Sequence, residues 1–155
     1  MIKTNAIRIL DSNNIKYETI SYEVDEDDLS GETVAKKVGA DPDTVFKTLV
    51  CIGDKTSHIV FCIPVTTELN LKKAAQVSNN KKVEMIPLKD LLPLTGYIRG
   101  GCSPIGMKKQ FPTYVDEIAQ LYENIFVSAG IRGTQMKLKP DDLSKLVNGN
   151  YAELI

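Results

Sequence analysis

Several things are scarce in this 155-residue chain, and each scarcity removes a class of activity. There is no tryptophan and one histidine, His58, so histidine metal sets and histidine relays have nothing to be built from. His58 opens an apolar run and reads as a packing or turn residue. The three cysteines, Cys51, Cys62 and Cys102, share no C-x-x-C spacing, which leaves no zinc or dithiol motif. Long apolar runs are missing too: the longest, Ile59 to Val65, is far too short to cross a bilayer. The first residues lack the apolar core of a signal peptide. An odd cysteine count without an export signal points to reduced thiols in a cytoplasmic protein. Nor is one sign of charge in excess. Nineteen Lys and Arg meet 20 Asp and Glu, a net −1, which excludes a bulk-basic DNA-coating protein.

What remains is a globular composition, 43% hydrophobic and 25% charged. No repeat or linker divides it, so residues 1–155 read as one domain. Lysines come in pairs at 36–37, 72–73, 81–82 and 108–109, and acid is concentrated at Asp25 to Asp28. The pairs read either as solvated surface or as a local basic rim for a phosphate backbone.

Thr4 can cap a first helix carrying Ile7 and Leu10 inward. Tyr17 to Tyr22 alternates as a strand does. Ser30 caps a short helix that Gly39 ends, and Asp41-Pro42 starts one tight turn. Val45–Ile52 and His58–Val65 predict an antiparallel hairpin covered on both faces. Asn70 caps a further helix, and short strands are expected at 82–85, 113–115, 124–128 and 134–138. Pro140 opens a last helix, with Asp141 and Asp142 in its first turn. Short strands broken by helices without a steady rhythm favour α+β over a doubly wound sheet.

Two segments carry chemistry. Lys47 is the only charge between Val45 and Ile52. It is either a snorkelling lysine at a sheet edge or a cation held for an anionic ligand. Gly100-Gly101-Cys102-Ser103-Pro104-Ile105-Gly106 is a loop whose glycines admit close approach to backbone N–H groups, with Pro104 stiffening its exit. It reads as an anion- or carbonyl-binding loop, or as a plain surface turn. Gly101 and Gly106 have Walker spacing, but Met107 stands where that motif needs lysine. Cys51 and Cys62 lie in apolar strands and read as core. Cys102 sits in the loop, yet no histidine is near to activate it.

These segments, with Leu71-Lys72-Lys73-Ala74, Lys81 to Met85, Thr95-Gly96-Tyr97 and Val127 to Gly133, resemble the YbaK/EbsC family of trans-editing aminoacyl-tRNA deacylases. That family is related to the editing insertion of bacterial prolyl-tRNA synthetase. The matches run in family order over nearly the whole chain. The resemblance implies a mixed, barrel-like β-sheet with helices packed outside. It also implies an activity, removal of mischarged cysteine from tRNA(Pro), with Cys-tRNA(Cys) as a further substrate, and it calls for no cofactor or metal. The implied partners are the acceptor end of an aminoacyl-tRNA and prolyl-tRNA synthetase, with no membrane and no DNA.

The resemblance also distributes roles. Lys47 serves the tRNA terminus or developing charge, and the N–H groups near Gly100 and Gly101 serve the ester carbonyl. Tyr22, Thr48 and Ser128 hold the amino group or ribose, and Ser30, Cys102, Ser103, Pro104, Arg132 and Gln135 complete the pocket. In family members of this type the substrate thiol attacks its own ester carbonyl. Ser30 stands where the better-studied branch has an aromatic residue, and Gln135 where it has aspartate. Those departures keep two alternatives open: a deacylase for alanine or another small residue using activated water, and a non-catalytic module that binds tRNA or a synthetase.

Overall fold

The computed structural model describes residues 3–155. Thr4 caps α1 (Asn5–Ser12) by accepting the Ile7 N–H, and Asn13 closes it. Ile7 and Leu10 share one helical face and are wholly buried. After β1 (Tyr17–Ser21), Ser30 caps α2 (Gly31–Val38), and Gly39 ends it in the left-handed conformation. Asp41 then caps a single 3₁₀ turn with Pro42 at its start.

β2 (Phe46–Gly53) and β3 (His58–Pro64) form the expected antiparallel hairpin. Its turn is held from outside: the Asn80 side-chain oxygen accepts the N–H groups of Lys55 and Thr56. His58 opens β3 with its ring tilted against Phe111, a packing role. Next come α3 (Leu71–Val77), capped by Asn70, then β4 (Val83–Met85) and α4 (Leu91–Thr95). The chain continues through β5 (Thr113–Asp116), β6 (Ile125–Ser128), β7 (Thr134–Leu138), α5 (Pro140–Leu146) and β8 (Asn150–Ala152).

The strands make two sheets. One is antiparallel in the order β1-β7-β6; the other is mixed in the order β4-β2-β3-β5-β8, with β3–β5 and β5–β8 parallel. The α+β class holds, but the expected barrel does not close. Outside the ladders, one parallel bridge from Val45 to Phe126 links β2's approach to β6. Pro42 starts a 3₁₀ turn just upstream, which ends that pairing on its upstream side.

The hairpin is covered on both faces, as its apolar runs require. Val60 and Cys62 join Ile7, Leu10, Val127 and Met136 in the largest core cluster. Ile59, Phe61 and Ile63 pack with Ala74 of α3 and Leu154 on the opposite face. A small third cluster, Ala35, Val45, Val65 and Phe126, sits where α2 crosses between the sheets. Among the described residues no helix is long and apolar enough to cross a membrane.

Candidate active site

A cavity of about 510 Å³ opens where the two sheets part beside α2. β2 lines one wall from Phe46 to Val50, and α2 with the residue before its cap adds Leu29, Gly31 and Val34. Met85, Ile86, Leu88 and Leu91 form an apolar lip, and the glycine loop contributes Arg99, Gly100 and Cys102. Ser128 and Gln135, paired opposite each other on β6 and β7, close the back. The α2 wall is seated tightly, since a Cβ at Gly31 would overlap Val65.

The charges in this lining are all of one sign. Lys47 and Arg99 are present, and no aspartate, glutamate or histidine is. Lys47 makes no hydrogen bond or ion pair among the described residues. An unmatched cation in an apolar wall costs free energy unless water or an anionic or polar guest meets it, and half-buried Lys47 is open to either.

Two polar atoms repeat the pattern without charge. Thr48 Oγ1 and Gln135 Oε1 are buried and lack a hydrogen-bond partner. Cys62 faces Thr48 across the hairpin, where the Thr48 hydroxyl points its hydrogen toward the sulfur, a weak acceptor, and no donor reaches Thr48 Oγ1. Unsatisfied buried acceptors are costly and rare, and both of these belong to residues that line the cavity.

The glycine loop is stiff. Gly100 has φ +84° as the third residue of a turn closed by the Gly101 N–H donating to Ile98 O. That bond engages the Gly101 N–H, whereas those of Gly100 and Cys102 donate to nothing among the described residues. Ser103 is buried and accepts the Ile105 N–H, and the Tyr97 hydroxyl donates to the Ile105 carbonyl. Ser103 and Pro104 thus lie inside the loop rather than along the cavity.

The thiols are not poised for attack. Burial pushes Cys102 up to about 12, with a hydrogen bond involving Thr95 pulling slightly the other way. Cys51 and Cys62 are pushed up to about 12 by burial as well. A thiolate nucleophile at neutral pH needs the opposite environment.

Of the residues singled out in the sequence, the fold brings Lys47, Thr48, Gly100, Cys102, Ser128 and Gln135 to the cavity. Gly101 stands one residue behind, against the backbone of Ile131 and Arg132. Arg132 is half-buried at the mouth, its Nε donating to the Arg99 carbonyl. Tyr22 extends the β1–β7 pairing through its N–H to Gly133 O, and Ser30 is occupied as the α2 cap. Neither lines the cavity. None of the lysine pairs lines it either; Lys73 and Lys82 instead pair with Glu153 and Glu84. Sequence reading passed over Arg99 and the apolar lip. Arg99's position immediately before the glycine pair was the available signal.

Residues 26–146 match the family described as Aminoacyl-tRNA editing domain. The chain belongs to that family. A protein of Enterococcus faecalis (strain ATCC 700802 / V583), provisionally named Cys-tRNA(Pro)/Cys-tRNA(Cys) deacylase EbsC, is 53% identical over 152 residues. The match covers 98% of this chain and 93% of that one. Among solved structures, one provisionally described as a trans-editing enzyme for prolyl tRNA synthetase superposes with a TM-score of 0.84 at 22% identity. It covers 99% of this chain and 98% of its own. The hypothetical protein APE2540 superposes at 0.88 with 16% identity, over 97% and 99% of the two chains. These two likenesses show that the fold is shared with solved structures along almost its whole length.

Proposed function

We propose that the chain acts as one trans-editing domain over residues 1–155 and deacylates Cys-tRNA(Pro), with Cys-tRNA(Cys) as a second substrate. Prolyl-tRNA synthetase is the source of the mischarged tRNA, and the cytoplasm, where translation runs, is the place. The observation that carries this reading is the composition of the cavity. It offers unpaired cations and unpartnered acceptors but no histidine or carboxylate, and its one thiol is held protonated.

A site without a base suits a substrate that brings its own nucleophile. Free cysteine has a pKa of about 8.5, so a few per cent is thiolate at neutral pH. Its sulfur attacks the ester carbonyl, an S–C bond forms, the bond between the acyl carbon and the ribose oxygen breaks, and that oxygen takes up the proton. The products are a cyclic thiolactone and free tRNA. The protein's part is orientation and stabilisation of the oxyanion, each of which lowers barriers substantially.

Lys47 faces the developing charge in this scheme, with the free N–H groups of Gly100 and Cys102 as further donors. Thr48 and Gln135 accept hydrogen bonds from the amino group or ribose. Requiring a thiol adds discrimination that cavity size cannot, since a pocket separates residues differing by one methylene by only about 1–3 kcal/mol.

The test is a panel of aminoacyl-tRNAs with purified protein. Cys-tRNA(Pro) is expected to be cleaved, and Ser-tRNA(Pro), of nearly the same shape, to survive. Alkylating the substrate thiol is expected to abolish release. Efficient cleavage of the seryl or alkylated substrate assigns the attack to water and overturns the substrate-thiol mechanism.

A further inference from the structure

Arg99 and Arg132 stand together at the cavity mouth with no carboxylate to neutralise them. Arg132 donates its Nε–H to the Arg99 carbonyl at 2.8 Å. Its side chain crosses Gly100, where an added Cβ would come within 3.3 Å of Nε. The stem is thereby fixed, while the outer guanidinium nitrogens make no hydrogen bond or ion pair among the described residues. Arg99 is exposed, lines the cavity and is likewise unpaired. Lys47 is a further free cation and lines the cavity with Arg99. Grouping like charges this way is unfavourable until an anion joins them.

The surface beside this group is acidic. Leu29 approaches Gly100 and Val24 approaches Gly133, which brings the run Asp25 to Asp28 alongside. Two of its four carboxylates are engaged locally: Asp25 accepts the Asp27 N–H, and Asp28 accepts the Ser30 N–H and the Thr33 hydroxyl. No acidic side chain reaches ion-pair distance of either arginine. An acidic flank repels a polyanion from the neighbouring surface, so attraction is confined to one point.

The geometry points to Arg99 and Arg132 as a clamp for one phosphodiester group of the RNA end. That group joins the ester-bearing terminal nucleoside in the cavity to the nucleotide before it. This rests on the deacylase reading above, which puts the terminal nucleoside in the cavity. Guanidinium groups match phosphate oxygens in bidentate fashion, and a contact to the backbone carries no sequence information. A protein of net charge −1 can thus hold RNA through a few fixed cations rather than a basic coat.

Binding of a CCA-ending RNA pentanucleotide, followed by fluorescence anisotropy across a KCl series, tests the clamp without relying on deacylation. Arg99→Gln is expected to weaken binding at least fivefold and to reduce the salt slope by about 0.7, the value for one single-strand phosphate contact. Arg99→Lys should restore the slope, and Lys72→Gln, on the distant α3, should leave it unchanged. In turnover, Arg99→Gln should lose at least fivefold more on cysteinyl-tRNA than on cysteinyl-adenosine, which has no phosphodiester. An unaltered slope in Arg99→Gln, or equal losses on the two substrates, overturns the clamp while leaving the deacylase standing. RNA binding that depends on Arg99 in a protein that deacylates nothing upholds the clamp and removes the deacylase reading.

Discussion

The Cβ that Gly101 lacks would stand 3.1 Å from the backbone nitrogen of Arg132. The glycine loop therefore rests on the backbone of residues 131 and 132, with no flexible side chain between to give way. Gly101→Ala is expected to cost about 1–3 kcal/mol, as overpacking does, and to lower the melting temperature. Deacylation should fall with it, because the same contact seats Gly100 and the two arginines. Unchanged melting and full turnover would show that the loop is loosely seated.

Lys47 gives a prediction in which stability and activity part company. Its ammonium is unpaired in an apolar wall, so Lys47→Met is expected to keep or raise the melting temperature. Deacylation of Cys-tRNA(Pro) should fall by about 10²-fold or more, the scale of losing a group that faces developing charge. Thermal melting and single-turnover kinetics on the same preparation decide it. Full activity in the folded variant would remove Lys47 from the mechanism.

Gln135 is 6% exposed and its side-chain oxygen is unsatisfied. Gln135→Leu removes that unmet acceptor and is expected to leave stability unchanged or improved. If the oxygen receives a substrate donor, the same change should raise KM for aminoacyl-tRNA several-fold. A variant with wild-type KM would assign Gln135 to the wall alone.

Alkaline pH should destabilise the fold. Cys51, Cys62 and Cys102 are raised from 9.0 to about 12 by burial, and Tyr97 from 10.0 to about 12 for the same reason. Groups whose pKa is raised by folding contribute fully below the unfolded value and lose that contribution as pH climbs through the folded one. Stability is therefore expected to be flat up to about pH 9 and to fall from there to pH 12. Urea midpoints across that range measure it, and Cys62→Ala should make the decline shallower. A midpoint independent of pH above 9 would show that these groups ionise without unfolding.

The elements were legible where local chemistry decides them. Thr4, Ser30 and Asn70 announce helices because a short oxygen-bearing side chain can satisfy a first-turn N–H. The hairpin was legible from its two apolar runs. Closure of the sheets was not, since it turns on how far the pairing at Val45 extends and alternation carries no information on that. β8 has three residues and no apolar pattern of its own. Lys47 and the glycine loop stood out as a charge and a glycine pair out of place. Arg99 did not, because an exposed arginine in a loop looks ordinary until the partners it lacks can be counted.

Because one bridge joins the two sheets, the cavity is a gap between two plates and not a hole in either. Its width follows from what fills the seam at Ala35, Val45, Val65 and Phe126. A methyl group added or removed there changes the spacing of the plates without touching a reacting atom. The breadth of the cavity is in this sense set at the seam, and repacking four small or apolar residues there alters it while every polar group in the lining stays as it is.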